Sequence, residues 1–442
     1  MKDKLLPSLP YAVLGFNIEQ YNGIKKTEVH DFPSSAKWIF LTGENGYGKT
    51  TVLQALAANL YALRAPNIDV YPDNFHLAIT LSNHGQVIQM RFRPEDGKLS
   101  ITYEGEPTGT LQPYAKPIPL CAYGSSRLNV SQTEDDKSLN NPIIGLFDSR
   151  TILRNIEFAF SRWFLKKDHD REFKTKFDSV SAVLKKLLPI KEIRVDFKTD
   201  KVTYIEKAPE NGVYEPVEFS QLASGFKSII ALVGDMILRL FEAQPTIHDP
   251  ALLEGIVLID ELDLHFHPNI QRALPSLLSE VFPKVQFIAT THSPIPILGA
   301  PQGSVFLTVR RNRDEGVTVH RIHLDVSDLT PNLILSSPIF GFDNIFAETY
   351  TNKQRIRTED TLAEMSLNDS VMDRLKSFAA SDPDVYERVF KEKPKASKTT
   401  SASATPASRK SVTPKPAYTK QGYSKPVPPK LTKTKPTDDS HR

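Results

Sequence analysis

The stretch Gly43-Glu44-Asn45-Gly46-Tyr47-Gly48-Lys49-Thr50 constrains the fold more than any other, because it satisfies G-x-x-x-x-G-K-[ST] at every fixed position. Backbone N–H groups converge on a phosphate only where the chain turns through conformations that glycine tolerates. A helix N-terminus behind the turn adds partial positive charge. The flanks supply both. Residues 37–42, KWIFLT, form a short apolar run ending at the turn. Lys49–Leu63 then reads as a helix with Val52, Leu53, Leu56, Leu60 and Leu63 on one face. In this setting Lys49 is expected to reach the β- and γ-phosphates of a nucleotide, and the Thr50 hydroxyl to bind Mg²⁺. The candidate nucleotide-binding residues are Gly43, Asn45, Gly46, Gly48, Lys49, Thr50 and Thr51.

A second element complements the first. Gly255–Ile259 is a continuous apolar run, the pattern of a strand buried on both faces, and it ends in Asp260-Glu261. Functional groups in parallel sheets gather beyond the carboxyl ends of strands. Asp260 is therefore expected to hold Mg²⁺, and Glu261 to polarise an attacking water. Alone, two acids after a strand are an ordinary solvated turn. The upstream phosphate loop gives them a partner.

Between and around these motifs strands and helices alternate. Tyr11–Ile18 and Ile24–His30 read as a hairpin; His76–Ser82, Val87–Arg93 and Leu99–Glu104 as alternating strands; Leu120–Tyr123 as a short one. Helical patterns cover Thr151–Lys167, Phe173–Leu188 and the strongly apolar Phe226–Phe241. Ile193–Phe197, Val202–Glu206 and Val285–Thr290 read as further strands. The expected fold is α/β: a mixed central sheet, an antiparallel β subdomain and a compact helical lobe. There is no heptad array and no apolar run long enough to span a membrane. A single cysteine, Cys121, rules out an internal disulfide and fits a reducing, cytoplasmic setting.

The net charge of +3 hides an asymmetry. Residues 391–442 carry 13 Lys or Arg against three acids, a net of +10, which leaves −7 on residues 1–390. The tail is rich in Lys, Pro, Ser and Thr and too poor in apolar side chains to offset its chain entropy, so disorder is expected there. It is either a solvated extension or a loose contact for nucleic acid or an acidic partner.

Taken in order, GENGYGKT, LASGFKS, VLIDELDLHFHP and FIATTHSP resemble the motifs of ABC-type ATPase heads. The resemblance is nearer to the RecF-like and OLD-like branch of AAA-family ATPases, which includes the "predicted ATP-binding protein involved in virulence" type found with anti-phage defence systems. It covers roughly Tyr11 to Phe346. It implies ATP as ligand, Mg²⁺ as cofactor, and a head-to-tail homodimer in which one protomer's signature caps the γ-phosphate held by the other. Ser224 and Gly225 match the signature serine and glycine, and His292 the switch histidine. Residues 263–267 stand in the place of the D-loop, and the Asn45 side chain is placed to approach the γ-phosphate. The implied catalytic set is Glu261, His292, Lys49 and Ser224; the implied metal ligands are Thr50 and Asp260.

Two departures qualify this. The glutamine expected before the helical lobe is missing from CAYGSSRL, so that either Ser126 or Arg127 does related work or Mg²⁺ keeps an extra water. The signature reads LASGF rather than the LSGGQ of transporters, which points away from transport.

On this resemblance residues 1–350 form the ATPase head, with the helical lobe at about 145–245, and 351–390 a helical extension before the tail. Two functions are implied. One is a switch or sensor for a separately encoded effector, such as a nuclease, in bacterial anti-phage defence. The other is a repair or recombination clamp that binds DNA as an ATP-bound dimer. Three further features have plain alternatives. His265 and His267 suit a turn at a dimer seam better than zinc. Lys227 is a solvated helix residue or reaches phosphate in trans. The apolar Leu329–Phe346 packs on the core or docks a partner.

Overall fold

The computed structural model describes residues 6–62, 74–95, 98–103, 118–134, 140–196, 198–209, 212–323, 329, 331–340 and 362–381. The tail 391–442 lies outside them. Strands β1 (Tyr11–Tyr21) and β2 (Ile24–Val29) pair as a hairpin. β3 (Trp38–Thr42) runs into the phosphate loop, and α1 (Lys49–Ala62) follows it. β4 (His76–Asn83), β5 (Gln86–Glu95) and β6 (Lys98–Tyr103) form an antiparallel meander, and β7 (Leu120–Tyr123) follows.

The helical lobe comprises α2 (Ile156–Lys166), α3 (Arg171–Leu187), a three-stranded sheet of β8 (Ile190–Asp196), β9 (Lys201–Glu206) and β10 (Val217–Glu218), and α4 (Ser224–Ala243). β11 (Glu254–Ile259), α5 (Pro268–Val281), β12 (Lys284–Thr290) and the single turn α6 (Ile295–Leu298) return to the main sheet. β13 (Val305–Asn312) and β14 (Gly316–Ile322) form a second hairpin, and α7 (Pro331–Ser336) follows. α8 (Leu362–Ser381) lies within the stretch expected to be a helical extension.

The main sheet has eleven strands in the order β6-β5-β4-β1-β2-β14-β13-β3-β12-β11-β7. From β13 to β7 the pairings are parallel; from β13 outward through β14 they are antiparallel. One detail of this order governs the site. β12 lies between the phosphate-loop strand β3 and the acidic strand β11, pairing in parallel with both. The residues after β12 therefore emerge between the loop and the acids.

β3 divides two cores. Trp38 and Phe40 stack on one face with Phe287 and Phe306, at ring-centroid distances of 4.7–5.6 Å. Ile39 and Leu41 face the other side, in one cluster with Val52, Leu53, Leu56 and Leu60 of α1. α1 has no acidic residue in its first turn and no basic residue in its last. Packing holds it instead, at about 1.5–3 kcal/mol per buried Val or Leu. Its positive N-terminal end thus carries no carboxylate of its own first turn.

α2 begins at Ile156, not at Thr151 as the periodicity predicts. Asn155 accepts the Glu157 N–H at 3.0 Å and caps the helix, while Leu153 bridges to Val130. The cap and the bridge offer residues 151–155 better hydrogen bonds than another helical turn. Of the apolar segment beginning at Leu329, Ile334 and Ile339 are buried in the core cluster, Leu329 and Phe340 pack against it partly buried, and Leu333 is exposed. Residues 341–346 of that segment lie outside the described residues.

α4 is tied to the main sheet by a buried charge. Asp235 is fully buried and accepts from the Tyr123 hydroxyl (2.8 Å), the Arg154 N–H (2.8 Å) and Arg239 Nε (2.6 Å). Removing one partner of such a group leaves opposite charge in a dry interior. Asp235→Ala is therefore expected to destabilise the fold by about 3–5 kcal/mol, read as a lowered urea midpoint. An unchanged midpoint would show that this network is not holding the lobe.

Candidate nucleotide-binding site

The phosphate loop is built on two close approaches. Gly43, at φ +140°, lies so near β13 that a Cβ there would stand 2.4 Å from the Val309 carbonyl oxygen. Gly48, at φ +96°, turns the chain into α1. Asn45 is exposed at the tip of the loop and Thr51 is half-buried in the first turn of α1.

Lys49 is buried and its three donors meet three acceptors: Gly43 O at 2.8 Å, Glu44 O at 3.0 Å and His292 Nδ1 at 3.2 Å. The ammonium thus closes its own loop and stands beside the switch position. Burial pushes its pKa down to about 8, against the pull of Asp260, Glu261 and Asp263. The same burial, with Lys49 as neighbour, lowers the pKa of His292. A neutral His292 with its proton on Nε2 accepts from Lys49 through Nδ1.

The acids are held by threonines. Thr50 donates to Asp260 Oδ2 at 2.8 Å. Thr290, the last residue of β12, donates to Asp260 Oδ1 at 2.5 Å and accepts the Glu261 N–H at 2.8 Å. Thr291 donates to Asp263 Oδ1 at 2.6 Å. Gln271 of α5 donates to the carbonyls of Asp263 and Phe266, at 2.9 and 3.0 Å, and pins the 263–267 turn. Glu261 and His265 both adopt left-handed backbone conformations, φ +50° and +68°. For non-glycine residues this costs on the order of 1 kcal/mol or more each and persists only where surrounding bonds enforce it.

Lys49, Thr50, Asp260, Glu261 and His292 thus converge at the carboxyl ends of β3, β11 and β12. The hydroxyl of Thr50 and the carboxylate of Asp260 make an all-oxygen pair of the kind Mg²⁺ accepts, so the residues present fit that ion. Ser224 and Gly225 are placed elsewhere. Ser224 is exposed and opens α4, whose N-cap Ala223 offers no side-chain acceptor. Gly225 packs against the His265 carbonyl, where a Cβ would stand at 3.2 Å. Among the described residues no hydrogen bond joins Ser224 or Gly225 to the phosphate loop. Gly225 and the 263–267 turn are neighbours on one protomer, and Asp263 of that turn accepts from Thr291 beside His292.

The remaining candidates resolve simply. His267 caps α5, accepting from the Asn269 N–H at 3.3 Å. Among the described residues no group of three or more His, Cys, Asp or Glu is placed to hold a metal. Lys227 donates to Ser220 O at 2.5 Å within its own chain. Ser126 is exposed, whereas Arg127 is fully buried and donates to the Glu261 carbonyl at 2.6 Å. Among the described residues no helix is long and apolar enough to cross a membrane.

Thr290, Thr291 and Gln271 are absent from the residues singled out in the sequence. The paired threonines before His292 were a usable signal, since two hydroxyls beside two acids invite hydrogen bonds. Gln271 offers none.

Similar sequences and folds are found among known proteins. Residues 117–295 match the family model described as "AAA domain, putative AbiEii toxin, Type IV TA system", a segment that starts beyond the phosphate loop. The Septu protein PtuA of Bacillus mycoides (strain KBAB4) is 27% identical over 358 residues, 69% of this chain and 43% of that one. The Retron Vc95 probable ATPase of Vibrio cholerae is 44% identical over 79 residues, 18% of this chain and 15% of that one. The chain spans less than half the length of these relatives. Among solved structures, the SMC head domain from Thermotoga maritima aligns with a TM-score of 0.42 at 14% identity, covering 71% of this chain and 99% of that one. Over residues 117–295 the chain is thus similar to an AAA domain of that description, and its mixed sheet with the phosphate loop after β3 is an α/β P-loop architecture.

Proposed function

We propose that this protein binds ATP with Mg²⁺, hydrolyses it slowly, and uses the cycle to close a head-to-tail dimer that signals to a separately encoded effector. The observation that carries the proposal is the convergence of Lys49, Thr50, Asp260, Glu261 and His292 at the carboxyl ends of three adjacent strands. Lys49 exchanges its loop carbonyls for the β- and γ-phosphates. Thr50 and Asp260 would hold Mg²⁺, which supplies charge neutralisation across the phosphates when bound. Glu261 takes the proton of a water aimed at the γ-phosphorus. His292 and the partner protomer's signature serine stabilise the transferring charge. A composite site is supported by the resemblance of LASGF to a signature that acts on the partner protomer's nucleotide. A place in anti-phage defence, with an effector such as a nuclease, is supported by the likeness to a Septu protein and a retron ATPase.

The experiment is ATP binding and phosphate release between pH 6 and 9.5, with and without Mg²⁺. Lys49 must be charged to hold phosphate, and its pKa in the free protein is about 8. Affinity is therefore expected to be greatest below that value and to weaken as pH rises through it, by up to about tenfold per pH unit. Lys49→Ala is expected to bind weakly with a flat profile. A wild-type chain that binds no ATP at pH 7 would overturn the proposal.

A further inference from the structure

Arg127 is the costliest side chain in the site. It is fully buried, and burial pushes its pKa down to about 10 although Asp260, Glu261 and Asp263 oppose this. A guanidinium has five donor hydrogens. Here Nη2 donates to the Glu261 carbonyl at 2.6 Å, while Nε and Nη1 have no partner among the described residues. A buried cation so incompletely paired does not serve stability: apolar side chains of similar volume often match or exceed buried ion pairs. Something other than folding must account for it.

Its one bond falls on the strained residue. Glu261 sits at φ +50°, with its N–H on Thr290 and its carbonyl shared by Arg127 and the Leu264 N–H. The same loop holds the preceding acid, since the Tyr123 carbonyl accepts the Asp260 N–H at 2.8 Å. Thr290 clamps one side of Glu261 and Arg127 the other. A carboxylate that must meet a water within tenths of an ångström needs its backbone fixed this way.

We propose that Arg127 is a positioning residue: by gripping the Glu261 carbonyl it holds that backbone in its left-handed conformation and aims the carboxylate. Arg127 acts through Glu261, so it governs the rate of hydrolysis and leaves ATP affinity alone. This rests on the reading that Glu261 takes a proton from water.

The test compares wild type, Glu261→Gln, Arg127→Lys, Arg127→Met and the Arg127→Met/Glu261→Gln double variant, measuring ATP affinity, turnover and urea midpoint. Arg127→Met is expected to lower turnover on the order of 10–100-fold with affinity unchanged. Its urea midpoint should be unchanged or higher, because an incompletely paired buried charge is gone. Arg127→Lys, which still places a donor near the carbonyl, should recover most of the rate. In the double variant Arg127→Met should add no further loss, because the residue it positions is already disabled.

Three results would overturn the proposal while Glu261→Gln remains slow: full turnover in Arg127→Met, a parallel loss of affinity, or an additive loss in the double variant. Wild-type turnover in Glu261→Gln would instead remove the reading of Glu261 on which the proposal stands.

Discussion

A Glu261→Gln variant is expected to bind ATP as wild type does while releasing phosphate on the order of 10²–10⁴ times more slowly. The substitution is nearly isosteric, and the bonds that fix residue 261 run to its backbone. The Glu261 N–H is held by Thr290 and the carbonyl by Arg127, and neither touches the carboxylate. The loop and the Thr50–Asp260 pair also stay as they are. What changes is the ability to accept a proton from water, so the loss isolates that step. Because ATP would persist, the dimer it holds should accumulate, and size-exclusion chromatography with ATP should show a two-protomer species that wild type forms only transiently. Phosphate release at the wild-type rate would remove Glu261 from the proton-accepting role and send the search to another acid, Asp263 first.

The parts of this site legible in the sequence are those encoded locally. The phosphate loop needs glycines, a lysine and a threonine at fixed spacing within eight residues, and the acidic strand end needs four apolar residues followed by two acids. Both are complete within one segment. What stayed hidden depends on strand order. Thr290 bonds Asp260 and Glu261 only because β12 is inserted between β3 and β11, a pairing of residues some 30 and 250 positions apart in the chain. The threonines of FIATT offer hydroxyls, but the segment does not say which strand lies beside it. Gln271 reads as an ordinary helix residue until α5 brings it under the 263–267 turn. The hairpin Val305–Ile322 is different, because its alternation and its Asp-Glu-Gly turn were visible, yet no strand was assigned there. That omission matters, since β13 pairs with β3 and its Val309 carbonyl is what makes Gly43 a glycine. The early start assigned to α2 failed for a related reason: apolar spacing continues through Leu153, but a bridge to Val130 and the Asn155 cap claim the backbone first.

Mixing two inactive variants should restore hydrolysis. Lys49→Ala lacks the phosphate clamp and Ser224→Arg puts bulk and charge at the opening of α4, so each homodimer has both sites damaged. In a heterodimer the Ser224→Arg protomer still supplies Lys49, and the Lys49→Ala protomer still supplies Ser224, so one composite site is whole and the other is doubly impaired. Random exchange of equal amounts makes half the dimers mixed, so about a quarter of wild-type turnover is expected if the two sites work independently, as two-fold symmetry allows. The geometry motivates this directly. On one protomer Gly225 packs on the 263–267 turn, and no hydrogen bond reaches from Ser224 to the loop around Lys49 among the described residues. Two outcomes would defeat the shared-site reading: a Ser224→Arg protein that turns over ATP normally by itself, or a mixture that stays silent and binds no ATP tightly while chromatography shows the two variants paired. A silent mixed dimer that retains one tight site is instead a cooperative dimer in which both sites must be intact.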